Sequence, residues 1–254
     1  MIDSEPKKQE KTVSWVSVVG ARPQFIKLAP VCRAIEAHNR EAEQQHIVHT
    51  IVHTGQHYDP EVADLLFAQL KIPQPGHNLG AGSGSHAVQL ARMMERLEPV
   101  LESHRPDWVI VYGDTNSTLA GALVAARSNF PLAHVEAGCR SFDMAAPEEQ
   151  TRIVADHLSQ LLFAPSKTTV ENLCREGIGG PNDRHKRRVI LSGDVMLDAL
   201  TDSISIVAGR EQENLDKLGL KSREYYLLTV HRAENTNNAE RLGSILRTAE
   251  MLDL

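Results

Sequence analysis

The sequence predicts an α/β protein with a doubly wound parallel sheet, on three observations. Short apolar runs alternate along the chain with stretches whose apolar residues recur at helical spacing. Each run leads into a polar loop and then a helical pattern, the order of repeated β/α units. Two of the runs end directly in acids, Asp114 in WVIVYGDTNST and Glu136 in PLAHVEAGCRS. The carboxyl ends of parallel strands line the crevice where such sheets bind ligands, so both acids are expected to face one cleft.

The elements follow in order. Residues 1–12 are polar and charged, with little to bury, and are expected to be a disordered lead-in. SWVSVV opens the fold and feeds a helix carrying Phe25, Leu28, Cys32 and Ile35 on one stripe. HIVHTIV feeds a helix bearing Val62, Leu65, Leu66 and Leu70. DWVIVY with its Ala-rich helix, LAHV, LLFA, RRVILS and YYLLTV continue the alternation. The polar helical stretch from Val195 to about Lys221 reads as a hinge, which divides the chain into residues 13–196 and 197–254. Beyond it stands one strand signal and one helix, and a lone β/α pair cannot build a two-sided core.

Composition narrows the function. With 27 Lys+Arg against 33 Asp+Glu, the net charge of -6 argues against a nucleic-acid partner. Cys32, Cys139 and Cys174 show neither disulfide nor zinc spacing, which fits a reducing cytoplasm. The N-terminus MIDSEPKKQEK is charged, and no run approaches the roughly 20 apolar residues of a membrane helix. His49, His53 and His57 recur every four residues, but in a β-branched, strand-like context that does not converge three rings, so no metal is expected.

The candidate site residues each have a plain structural reading as well. Arg22 and Lys27 in GARPQFIK lie between the first strand and first helix, where a helix N-terminus favours anions; a tight turn with two solvated cations is the alternative. Asp114 precedes Thr-Asn-Ser-Thr and is equally placed to cap a helix. Glu136 is harder to explain structurally, because a carboxylate after an apolar strand is costly to bury unless bonded or used. Glu148 and Glu149 suit the first turn of a helix, where acids complement the dipole.

GARPQFIK, TGQHYD, GSGSHAVQ, VYGDTNSTLAGALVAA, HVEAGCRSFD, PEEQTR, SGDVMLDA and TVHRAENT, in this order from about Val13 onward, closely resemble the non-hydrolysing UDP-N-acetylglucosamine 2-epimerases. The resemblance implies a GT-B-like fold of two Rossmann-like domains, the first complete over 13–196 and the second only partly present over 197–254. It implies C2 epimerisation of a UDP-2-acetamido sugar, with catalytic roles for Asp114, Glu136, Glu148 and His231. Arg22, Lys27, Gln56, His57, Arg152 and Arg232 become substrate contacts, and Glu149 is left to structure. The full-length family form is expected to be a homodimer. Gln24 stands where relatives often carry Glu. Family members continue through further β/α units that hold the uridine diphosphate, so this chain alone is expected neither to bind UDP tightly nor to epimerise.

The chemistry fits those residue types. No carbonyl acidifies the C2 proton of an N-acetylhexosamine, and oxidation would call for NAD, whereas no G-x-G-x-x-G follows the first strand. No cofactor is therefore expected. The family's route is elimination of UDP across C1–C2 to a glycal and re-addition from the other face, which asks for acid/base groups on both sides of C2. A GT-B glycosyltransferase and an inactive remnant are the competing readings.

Overall fold

The computed structural model describes residues 11–42, 45–56, 60–230 and 233–251. The chain divides into two compact units, Met1–Asp202 and Ser203–Leu254. The first unit contains β1 (Lys11–Val19), α1 (Arg22–Glu41), β2 (Gln45–His53), α2 (Pro60–Leu70), β3 (His77–Asn78) and α3 (His86–His104). It continues through β4 (Trp108–Tyr112), α4 (Asn116–Arg127), β5 (Leu132–Val135), α5 (Pro147–Leu158), β6 (Leu161–Ala164), α6 (Lys167–Arg175) and β7 (Arg188–Leu191). α7 (Val195–Val207) crosses the boundary, and α8 (Glu211–Leu218), α9 (Ala233–Thr236) and α10 (Ala239–Glu250) follow.

The strands form one sheet in the order β3-β2-β1-β4-β5-β6-β7, and every pairing is parallel. This is the doubly wound order, with its switch point between β1 and β4. The two-residue β3, which has no apolar run to announce it, pairs with the last two residues of β2.

Strand alternation builds a core on each face. Val109 and Val111 of β4 pack with Val16, Val18, Leu97, Leu101 and Val124 beneath α3 and α4. Ile110 and Tyr112 point the other way, among Phe25, Leu28, Cys32 and Phe67 of α1 and α2. The expected stripe of α1 is the buried one, with Gln24 and Lys27 added to it. Tyr112 is fully buried, and its hydroxyl lies 2.8 Å from Ser17 Oγ, which satisfies both groups.

The three histidines expected to lie apart include His57, which falls outside the described residues. His49 hydrogen-bonds Ser17 Oγ at 2.8 Å, whereas His53 stacks on Phe25 with ring centroids 5.2 Å apart. Four residues along a strand separate them by about 13 Å.

In the second unit none of the described residues is buried. Residues 225–230, the expected strand YYLLTV, form no ladder, and Tyr226 and Leu227 are 76% and 87% exposed. A strand exists by pairing, and no described strand pairs with this segment. No helix among the described residues is long and apolar enough to cross a membrane.

Candidate functional site

The carboxyl end of the sheet gathers the candidate residues. Asp114 follows β4, Glu136 follows β5, and Arg22 and Lys27 open α1 after β1. Gln56 follows β2, and Glu148, Glu149 and Arg152 stand in the first turns of α5.

Lys27 Nζ lies 2.6 Å from Glu136 Oε2, with side chains only 9% and 19% exposed. The approach depends on Gly113, whose φ of +62° suits glycine and whose missing Cβ would stand 2.9 Å from Lys27 Nζ. Glu136 itself holds φ at +74°, a left-handed conformation that costs a non-glycine residue about 1–2 kcal/mol. The backbone N–H groups of Glu136 and Ala137 both donate to Phe163 O, at 3.1 and 3.0 Å, and so fix that turn. Such strain, held by its surroundings, clusters at working sites.

A second ion pair joins Arg152 Nη2 to Asp114 Oδ2, and Arg152 Nη1 also reaches Glu149 Oε2 at 3.3 Å. Glu149, the second acid of PEEQ, is buried and accepts from Ser141 N at 2.8 Å, Ser141 Oγ at 3.0 Å and Phe142 N at 3.0 Å. Burial alone would raise its carboxyl; the Ser141 and Phe142 donors and Arg152 outweigh that and hold it below the usual range. Glu149 therefore clamps the loop between β5 and α5. Glu148, beside it, is exposed.

The loop after β1 is sealed from the far side. Gln24 Oε1 accepts from Gly20 N and Ala21 N at 2.8 and 3.1 Å, and its Nε2 donates to Tyr112 O and Thr118 Oγ1, both at 3.0 Å. An amide serves both sides at once, its oxygen accepting from the β1–α1 turn and its nitrogen adding a second donor to Tyr112 O beside Thr118 Oγ1, which a carboxylate could not do. Gln56 Oε1 accepts from Ser117 N and Ser117 Oγ at 3.0 and 2.7 Å, joining the end of β2 to the start of α4. Arg22 is exposed at the first turn of α1. Cys139 stands in the same loop as Glu136, and burial, reinforced by the Glu136 charge, pushes its thiol up to about 11, so it stays protonated at neutral pH. His231 and Arg232 lie outside the described residues, as His57 does.

Beneath the two acids runs a buried network that the sequence did not single out. His134 Nδ1 lies 2.7 Å from Asp156 Oδ1, and His134 Nε2 lies 2.8 Å from Gly113 O. Asp156 Oδ2 accepts from Gly138 N at 3.0 Å and from Arg140 Nη1 at 2.7 Å. Arg140 in turn grips Glu176 with Nε and Nη2, at 2.7 and 2.8 Å. Burial would raise the Asp156 carboxyl, but His134 and Arg140 hold it below the usual range. The one signal in the sequence is an acid beside Ala155 on the core side of α5.

The family model described as UDP-N-acetylglucosamine 2-epimerase matches residues 39–253. A Methanococcus maripaludis UDP-N-acetylglucosamine 2-epimerase homolog is 46% identical over 91% of this chain and 60% of its own length. The Pseudomonas aeruginosa UDP-2,3-diacetamido-2,3-dideoxy-D-glucuronate 2-epimerase is 41% identical over 94% of this chain and 63% of its own. The Methanocaldococcus jannaschii UDP-GlcNAc 2-epimerase, solved in complex with UDP-GlcNAc and UDP, superposes with a TM-score of 0.80 at 39% identity, covering 92% of this chain and 61% of that one. The chain thus spans about 60% of the length of these relatives. With its doubly wound sheet, its carboxylates at the ends of β4 and β5 and a family match over most of its length, the chain belongs to the UDP-N-acetylglucosamine 2-epimerase family.

Proposed function

We propose that the protein epimerises a UDP-2-acetamido sugar at C2 by eliminating and re-adding UDP. The observation that carries this reading is Glu136, strained and largely buried, set against Lys27 next to the Arg152–Asp114 pair. In the forward half a carboxylate takes the C2 proton while the C1–O bond to UDP breaks, giving the glycal and free UDP. In the return half UDP oxygen re-forms the C1 bond and a second carboxyl group protonates C2 from the opposite face. Asp114, Glu136 and Glu148 are the acid/base groups of this reading, the first in the β4–α4 connection and the other two at either end of the β5–α5 connection, and inversion asks for such groups on both faces of C2.

Lys27, Arg22 and Arg152 supply positive charge for the departing pyrophosphate, whose negative charge grows in the transition state. Gln56 contacts substrate through Nε2, its Oε1 being taken by Ser117. His57, His231 and Arg232 join the site on their motifs alone, TGQHYD and TVHRAENT, with His231 on the nucleotide side. The full-length form works as a cytoplasmic homodimer without a cofactor. A relative named for a 2-acetamido sugar and one named for a 2,3-diacetamido uronate are both 41% identical to this chain, so both sugars enter the test.

The test is proton NMR of the full-length form in deuterated buffer with UDP-N-acetylglucosamine and, separately, UDP-2,3-diacetamido-glucuronate. Deuterium at C2 together with the 2-epimer supports the reading. Free N-acetylmannosamine with stoichiometric UDP, or sugar transferred to an acceptor, would overturn it.

A further inference from the structure

We propose that Asp156, acting through His134, is a positioning residue that sets the Asp114 and Glu136 loops relative to each other; this rests on the epimerase reading above. Asp156 and His134 are both fully buried, and neither touches the open end of the sheet where a sugar would enter. Their contacts instead divide between the two loops. Through Nε2 of His134 the pair holds Gly113 O, the carbonyl of the peptide that leads into Asp114. Through Oδ2 of Asp156 it holds Gly138 N and Arg140, two and four residues beyond Glu136.

The proton arrangement makes this a rigid spacer. Asp156 Oδ2 already faces two donors, and the carboxyl is held ionised, so Oδ1 accepts from His134. Gly113 O is a carbonyl and also only accepts. Both ring nitrogens of His134 therefore donate, and the ring cannot rotate without losing a bond on each side. Stability alone is a weak reason for such a cluster, since buried ion pairs are commonly replaceable by apolar groups at no loss. Geometry is a better one. The imidazole and carboxylate together fix the distance between a strand end that carries one acid and a strained turn that carries the other, and a shift of about 1 Å between reacting groups can cost roughly a hundredfold in rate.

The experiment compares Asp156→Asn and His134→Phe, singly and together, with the parent chain. Expected is faster amide exchange, by about tenfold or more, at residues 113–115 and 136–140 in both single variants, with β1 and β4 unchanged. The double variant should be no looser than either single one, because the two residues act as one spacer. In turnover of the full-length form carrying the same substitutions, kcat should fall roughly a hundredfold with KM within about threefold. Loosening of only one loop, additive effects in the double variant, or unchanged kcat would overturn the proposal. Should a substituted chain fail to fold, nitrogen-15 NMR of the parent decides: two protonated ring nitrogens on His134 support the spacer, and one bare nitrogen refutes it. A full-length form without C2 exchange would sink the epimerase reading, while the amide-exchange and ring-nitrogen results still judge the coupling of the loops.

Discussion

Lys27 on the first helix and Glu136 after the fifth strand meet at 2.6 Å over the backbone of Gly113. Three separate β/α units therefore converge on one ion pair. The pair is largely buried, and in the proposed reaction only its carboxylate moves a proton, so its two halves should respond differently to substitution.

Glu136→Gln keeps size and an oxygen for Lys27, so the fold should persist with unfolding midpoints near those of the parent. In the full-length form, C2 deuterium exchange should drop by about 10²–10⁴-fold, the scale of a lost acid/base group. Lys27→Met should behave oppositely in stability. It leaves a largely buried carboxylate without its cation, and such losses reach about 3 kcal/mol for well-buried pairs. Urea unfolding of both variants, beside the exchange assay, separates the two roles.

Glu149→Gln should loosen the loop that leads into α5. The carboxylate accepts from three donors of Ser141 and Phe142 and from Arg152. An amide offers one oxygen and turns an NH₂ toward the remaining donors, a mismatch worth about 1–3 kcal/mol. Amide exchange at Ser141 and Phe142 should quicken while β5 stays protected; unchanged protection would show that the loop is held by something else.

Much of this was legible in the sequence, for physical reasons. Runs such as WVIVY and LAHV are short and mostly apolar, as buried strands are, and an acid closely following such a run lands at the sheet's ligand end. The stripe of α1 could be read because Phe25, Leu28, Cys32 and Ile35 repeat at helical spacing. The His134–Asp156 contact could not, since its partners sit 22 residues apart and nothing local encodes their meeting. YYLLTV shows the converse limit: composition announces a strand, but pairing makes one, and residues 225–230 have no ladder. As first-turn acids Glu148 and Glu149 read alike, and only the family resemblance sets Glu149 aside as structural; the Ser141 and Phe142 donors supply the physical reason that it clamps the loop.

Stability should fall with acid in two stages. Burial lowers His49 to about 4, against about 6.5 for an unfolded histidine. The unfolded chain therefore takes up that proton first, and stability declines as pH falls from about 6.5 to about 4. Asp156 and Glu149 are held below the usual carboxylate range, so their contribution is present above about 4 and is lost as pH falls through their lower folded values. Urea midpoints at about pH 7.5, 5 and 3 should show a shallow loss and then a steep one. His49→Phe should flatten the first stage alone, and a curve that stays level down to about pH 4 in the parent would remove His49 from the account.

Gly20→Ala should be among the most damaging single changes in the first unit. The residue directly follows β1 at the switch point, and a Cβ there would lie 1.8 Å from Thr54 Oγ1 and 2.4 Å from Ser117 Oγ. Those hydroxyls bond each other at 2.8 Å, and Ser117 is held by Gln56, so neither can swing away without breaking the tie between β2 and α4. Overpacking of a rigid interior typically costs about 1–3 kcal/mol, and the broken hydrogen bonds add to it. The site should suffer along with the fold, because Gly20 N is one of the donors that hold Gln24 and, through it, the β1–α1 turn that carries Arg22 and Lys27. Removing one obstruction with Gly20→Ala/Thr54→Ala should recover part of the stability, since the nearest contact is then gone and only Ser117 must yield. Thermal unfolding of the two variants checks this: a double variant no more stable than Gly20→Ala would mean that the strain lies in the backbone and not against Thr54.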